Sequence, residues 1–144
     1  MKILLAYDGF EHSENALAEA AELVKDAGAL TILSVVGPDA RGSKSGGHVG
    51  LRPHAHEDVA LAHKYLRERG IESEMVIEHG DPVEEITRVA DEGGFDLIVA
   101  GSRERGAVAD ILLGSVSRTL VRTAPCPVLV VGKDATVRFE PTKV

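Results

Sequence analysis

Gly101-Ser102-Arg103-Glu104-Arg105-Gly106 directly follows the apolar run Leu97 to Ala100, and Gly114-Ser115-Val116-Ser117 then opens a helix-like segment. A glycine turn between a strand and a helix start is a phosphate-binding device. Glycines let the backbone approach an anion, and the first N–H groups of the helix point at it. Arg103 and Arg105 add guanidinium groups that can pair with phosphate oxygens or neutralise Glu104 between them. A second segment with ligand-like residues is Tyr7-Asp8-Gly9, which leaves the apolar run Ile3 to Tyr7 and carries a carboxylate.

The elements that must position these segments alternate along the chain. Ile3 to Tyr7, Leu30 to Val36, Glu74 to Ile77, Leu97 to Ala100 and Val128 to Val131 read as strands. The first of them is continuously apolar, as a parallel strand buried on both faces requires. Between them, apolar residues at helical spacing predict helices from about His12 to Ala27 and from about Ala55 to Arg69. A third starts at Pro82 and carries Val83, Ile86, Val89 and Ala90 inward, and a fourth runs from about Ser115 to Thr123. Gly28, Gly70 and Gly93-Gly94 supply stops, and Asp81 before Pro82 is a cap signal. Five strands alternating with four helices make a single doubly wound α/β domain over residues 1–144, with a parallel sheet and helices on both faces. Such sheets bind ligands beyond the carboxyl ends of their strands, where the strand order reverses. If the first and fourth strands are neighbours, Asp8 and the glycine loop face one crevice.

Size and composition narrow the function classes. At 144 residues with 44% hydrophobic and 27% charged content, the chain suits one soluble core, built from aliphatic side chains because aromatics are 3% and Trp is absent. A net charge of −7 argues against a nucleic-acid backbone as partner. Met1 to Tyr7 is too short for a leader and is interrupted by Asp8, no run is long enough to span a membrane, and Cys126 is single; these point to the cytoplasm. Gly37 to Pro53 is rich in Gly and Ser and is expected to be a flexible loop, and 133–144 a loosely held polar tail.

Over nearly its whole length the sequence resembles the universal stress protein family. The resemblance rests on Lys2-Ile3-Leu4-Leu5-Ala6-Tyr7-Asp8-Gly9, Leu30 to Val36, Gly80-Asp81-Pro82 and Asp96 to Ser102. It is strongest over Leu112-Leu113-Gly114-Ser115-Val116-Ser117 and Ala124-Pro125-Cys126-Pro127-Val128-Leu129-Val130-Val131. It implies a sheet in the order 3-2-1-4-5, with the first and fourth strands adjacent. It also implies an adenine nucleotide, ATP or AMP with or without Mg, as ligand. Asp8 would line the site, Val35 would contact adenine through its backbone, and Gly101, Gly114, Ser115 and Val116 would hold ribose and phosphates. Ala6, Tyr7, Ser102, Arg103, Arg105 and Ser117 are counted with them. The function implied is a non-catalytic nucleotide-binding regulator of stress response. The alternatives are a relative without ATP binding that acts as a dimeric interaction module and, behind both, a slow ATP hydrolase. A homodimer through Val128 to Val131 is also implied, and that run is short, apolar and bare of charge, an edge open to strand addition.

Two positions depart from the family pattern of Gly, two residues, Gly, nine residues, then Gly followed by Ser or Thr. Phe10 follows Asp8-Gly9 where a small hydroxyl residue is usual, and Glu104 stands in place of the second loop glycine. A carboxylate about 5 Å from one phosphate charge is repelled by roughly 3 kcal/mol at an effective dielectric near 20. Triphosphate binding is therefore expected to suffer more than monophosphate binding.

Other residues have plainer readings. Asp8 can equally cap the first helix, and Ser115 the fourth. His48, His54 and His56 lie on or beside the polar loop and are read as solvated, so no metal site is expected. Cys126 between two prolines is a small buried residue at a strand start, and Glu14, Glu19 and Glu22 form a solvated helix face.

Overall fold

The computed structural model describes residues 1–8, 11–26, 28–37, 55–102, 115–132 and 135–141, with backbone only at 11, 12 and 115. The expected loop 37–53 lies, beyond Gly37, outside the described residues. So do Arg103, Glu104, Arg105 and Gly114.

In chain order the elements are β1 (Lys2–Ala6), α1 (Glu11–Val24), β2 (Ala29–Val36), α2 (Ala55–Arg67), β3 (Ser73–His79), α3 (Pro82–Glu92), β4 (Leu97–Gly101), α4 (Ser115–Thr123), β5 (Val128–Val131) and β6 (Thr136–Phe139). The sheet runs β3-β2-β1-β4-β5-β6. Its first five strands are parallel, and β1 lies between β2 and β4 with Ala6 beside both Leu33 and Ala100.

Pleating divides the core in two. Ile3 and Leu5 of β1, Leu30 and Ile32 of β2, and Leu97 and Val99 of β4 face α1 and α2, where they meet Leu17, Ala20, Val59, Ala62 and Leu66. Leu4, Leu33, Ile98, Val128 and Val130 face the other way, against Ile86 and Ala90 of α3 and Leu120 of α4. The middle of β1 is closed on both faces, and Ile3, Leu4 and Leu5 have no exposed surface. That is why the run is continuously apolar.

Local signals fix the turns that open towards the carboxyl ends of the strands. Gly80 ends β3 at φ +145°, a region that side-chain-bearing residues avoid. Asp81 follows as N-cap, accepting a hydrogen bond from Glu84 N–H at 3.0 Å, with Pro82 in the first turn of α3.

The expectation of five strands and a loose polar tail is corrected at residues 136–139. β6 pairs antiparallel with β5, with Val128 opposite Phe139 and Val130 opposite Val137, and Gly132 N–H bonds to Ala135 O at 2.7 Å to close the connection. Phe139 packs against the core on the α3/α4 side. Two apolar residues spaced two apart are enough to hold a four-residue strand once a neighbouring edge is available. The same pairing corrects the picture of Val128 to Val131 as a bare edge, because its backbone groups on that side are already satisfied by the chain itself.

Candidate functional site

The reversal of strand order falls between β1 and β4. From β1 the chain turns to α1 on one face of the sheet, and from β4 it leads to α4 on the other. In doubly wound sheets the two connections part at such a point, and the carboxyl edge there is the usual place for a ligand crevice. The burial pattern follows this geometry. Ala6, Asp8, Val35, Val36, Gly37 and Gly101 are half-buried, whereas the strand residues behind them are closed.

Of the sequence-predicted residues, Ala6, Tyr7 and Asp8 sit at the end of β1, Val35 at the end of β2, and Gly101 and Ser102 at the end of β4. Ser102 N–H bonds to Val131 O at 2.9 Å, so the sheet pairing holds one residue beyond β4 and fixes where the glycine loop departs. Ser102 and Ser117 are both buried polar residues, while Val116 is 40% exposed. Ser115 begins α4, a nine-residue helix without an acidic residue in its first turn, so its N-terminal N–H groups meet no carboxylate of their own helix. Arg103, Arg105 and Gly114 are outside the described residues, as is the side chain of Ser115.

Tyr7 and Asp8 follow β1, and each bonds to the first turn of α1. Tyr7 is buried among the α1/α2 core, and its hydroxyl donates to Glu14 Oε2. Burial first, then the bond to Glu14 and the charges of Glu14, Asp58 and Asp8, hold the phenol well above its usual range. Its hydroxyl is a hydrogen-bond donor on the α1/α2 side of the sheet. Glu14 is exposed, as its reading as part of a solvated helix face has it, and it also accepts the Tyr7 hydroxyl at the end of β1.

Asp8 is bound to Ser13 twice. Ser13 Oγ donates to Asp8 Oδ1 at 2.6 Å and accepts from Asp8 N–H at 3.1 Å. Sequence reasoning passed over Ser13. The available signal was a hydroxyl in the first turn of a helix, five residues after a strand-terminal aspartate, where side chains reach back to the entering backbone. The described residues hold no group of three or more His, Cys, Asp or Glu able to grip a metal ion, and no described helix is long and apolar enough to cross a membrane.

The model of the universal stress protein family matches residues 1–132. Universal stress protein YxiE of Bacillus subtilis is 32% identical over an alignment that covers 90% of this chain and 97% of that protein. Among solved structures, protein MJ0577 superposes with a TM-score of 0.74 at 28% identity, covering 93% of this chain and 96% of its own. Two more distant ones share the fold. A universal stress protein in complex with cAMP has a TM-score of 0.71 at 23% identity, covering 93% of this chain and 98% of that one. A universal stress protein family member from Arabidopsis thaliana with AMP bound has a TM-score of 0.70 at 21% identity, covering 94% and 93%. A match that runs from the first residue through the end of β5, on a sheet whose order reverses between β1 and β4, makes this chain a member of the universal stress protein family.

Proposed function

We propose that this protein is a non-catalytic, adenine-nucleotide-binding regulator of stress response, taking AMP or ATP in the crevice between β1 and β4. The observation that carries the reading is the juxtaposition of Asp8, at the end of β1, with Gly101 and Ser102, at the end of the adjacent β4. The groups present suit such a ligand. Half-buried Ala6 and Val35 offer apolar contact to a base, and Asp8 offers an acceptor to a ribose hydroxyl or an exocyclic amine. The start of α4, at Ser115 and Val116, offers N–H groups to phosphate, and Gly114 precedes it in the sequence. Arg103 and Arg105 supply positive charge in the connecting loop, with or without Mg on the phosphates. Two fold relatives crystallised with cAMP and with AMP lend the reading support.

Regulation rather than turnover is proposed because the residues counted with the site are an aspartate, serines and glycines, which suit binding more than acid–base chemistry. The protein is read as cytoplasmic and as a homodimer; the run Val128–Val131, expected to carry the contact, is paired with β6 within the chain. A second reading, an interaction module without ATP binding, draws on Glu104 in place of a loop glycine.

Titration calorimetry with AMP and ATP on the wild type and on Glu104→Gly separates them. Binding of AMP ahead of ATP is expected in the wild type. The substitution should strengthen ATP binding by roughly 1–3 kcal/mol, about tenfold or more, and AMP binding by less. A wild type that takes up neither nucleotide, with a Glu104→Gly variant equally silent, would overturn the nucleotide reading and leave the interaction module.

A further inference from the structure

We infer that two copies of this chain associate through the face formed by α3 and α4, about a twofold axis that runs along the groove between those helices. Such a contact gives the homodimer of the proposed function, on which it rests, a surface of its own. The sheet edges suit that role poorly, because β6 covers β5 and the opposite edge, β3, carries Glu74, Glu78 and His79.

Both helices pack on one face of the sheet and run back from its carboxyl edge, so they lie side by side and parallel. Between them is an open groove of about 670 Å³. Val83 of α3 and Val116 of α4 line it, with Thr87, Thr119 and Thr123 along its length. Val116 is 40% exposed, so a second copy laid on this face removes apolar surface from water.

The two walls differ in charge. α3 carries Glu84, Glu85, Asp91 and Glu92 against the single Arg88. Arg88 bonds to Glu85 and Glu92 and lies 3.4 Å from Glu78 of β3, on the flank of the helix away from α4. Glu84 lines the groove itself, and exposed Asp91 stands one turn on from Thr87, so both belong to the groove side. α4 has two arginines and no acid, and exposed Arg122 is three residues on from Thr119. One wall is negative and the other positive.

A surface of that kind is complementary to itself under one symmetry operation. A twofold axis along the groove lays α3 of each copy over α4 of the other, acid on base twice, and the assembly closes at two subunits. An axis across the groove would set α3 on α3, acid against acid. Helices of eleven and nine residues give a small footprint, at the low end for specific association. The dimer is therefore weak, forms in the micromolar range and loosens as salt is raised.

The experiment is sedimentation equilibrium of the full chain and of two charge reversals, Asp91→Lys and Arg122→Glu, alone and mixed. Each reversal meets its mate twice in the dimer, so either variant alone is expected to associate about tenfold more weakly. An equimolar mixture restores both contacts and should associate within about threefold of wild type. Variants that dimerise like wild type would overturn the α3/α4 contact and leave self-association to another surface. Weakened variants with no rescue in the mixture would overturn it as well. A wild type that stays monomeric up to about 1 mM overturns both this contact and the homodimer on which it rests. Should either reversal fail to fold, Asp91→Asn and Arg122→Gln are each expected to weaken association about threefold; unchanged association in both would overturn the contact.

Discussion

Two buried acids set how the protein responds to alkali. Cys126 is 6% exposed at the entry to β5, and burial, helped by the charge of Asp96, pushes its thiol from the ordinary 9.0 up to about 11. Tyr7 is raised by burial and by Glu14 from its ordinary 10.0. In both, the folded chain keeps a proton that the unfolded chain releases. The stability they contribute is whole below the unfolded values, 9.0 and 10.0, and is lost as pH climbs through the folded ones. Urea unfolding between pH 8 and 11 should therefore show falling stability. Cys126→Ala should flatten the fall by about 1–2 kcal/mol across that window. Parallel pH curves for the two proteins would mean that the thiol is not shielded. At this scale the sequence was legible for Cys126, since a lone cysteine between prolines at a strand start has little to do but pack. It was silent on Tyr7 with Glu14 and on Asp8 with Ser13. Each pair is joined across a chain reversal whose side-chain directions no local pattern encodes.

α3 is a helix whose start is described in full and is specified by its own residues. Asp81 caps it, Pro82 fits its first turn, and Glu84 and Glu85 lie where the N-terminal end of the helix dipole favours negative charge. Asp81→Ala should cost about 1 kcal/mol in urea unfolding, and Asp81→Asn a few tenths. Losses below about 0.3 kcal/mol for the alanine variant would show that the side chain of a neighbouring residue takes over the cap. The starts and stops of this helix and the span of α4 could be read directly, because caps and apolar period agree there. β6 could not. Thr136-Val137-Arg138-Phe139 is too short and too polar to announce a strand, and its order comes from the open edge of β5, an element of the fold rather than of the segment.

Across the whole molecule, the sheet has two outer edges. β3 carries Glu74, Glu78 and His79, charged or polar residues that discourage strand addition, and β6 covers β5 on the other side with Arg138 paired to Glu140. An apolar β5 shielded by a short hairpin partner leads to a definite expectation for self-association. A chain ending at Gly132 should dimerise at lower concentration than the full chain, because the edge of Val128–Val131 is then open. Light scattering from 1 to 100 micromolar (roughly the range over which exposed edges begin to associate) reads the difference. Equal masses at every concentration would show that β6 does not guard that edge. A dimeric full chain with a monomeric truncation would place the contact on β6 itself.

Sequence by itself determined the class of fold and the position of all five parallel strands and four helices. Those features are written in local periods of two and 3.6 residues and in caps and glycines that act within a few residues. The adjacency of β1 and β4 was carried by family resemblance, not by any pattern within either strand. What the tertiary structure alone decided lies in contacts between distant or oppositely running segments: β6 on β5, Tyr7 bonded to Glu14, and Ser13 bonded to Asp8. Such contacts depend on which faces are brought together when the sheet closes, and the energy that selects them belongs to the packed pair rather than to either sequence segment.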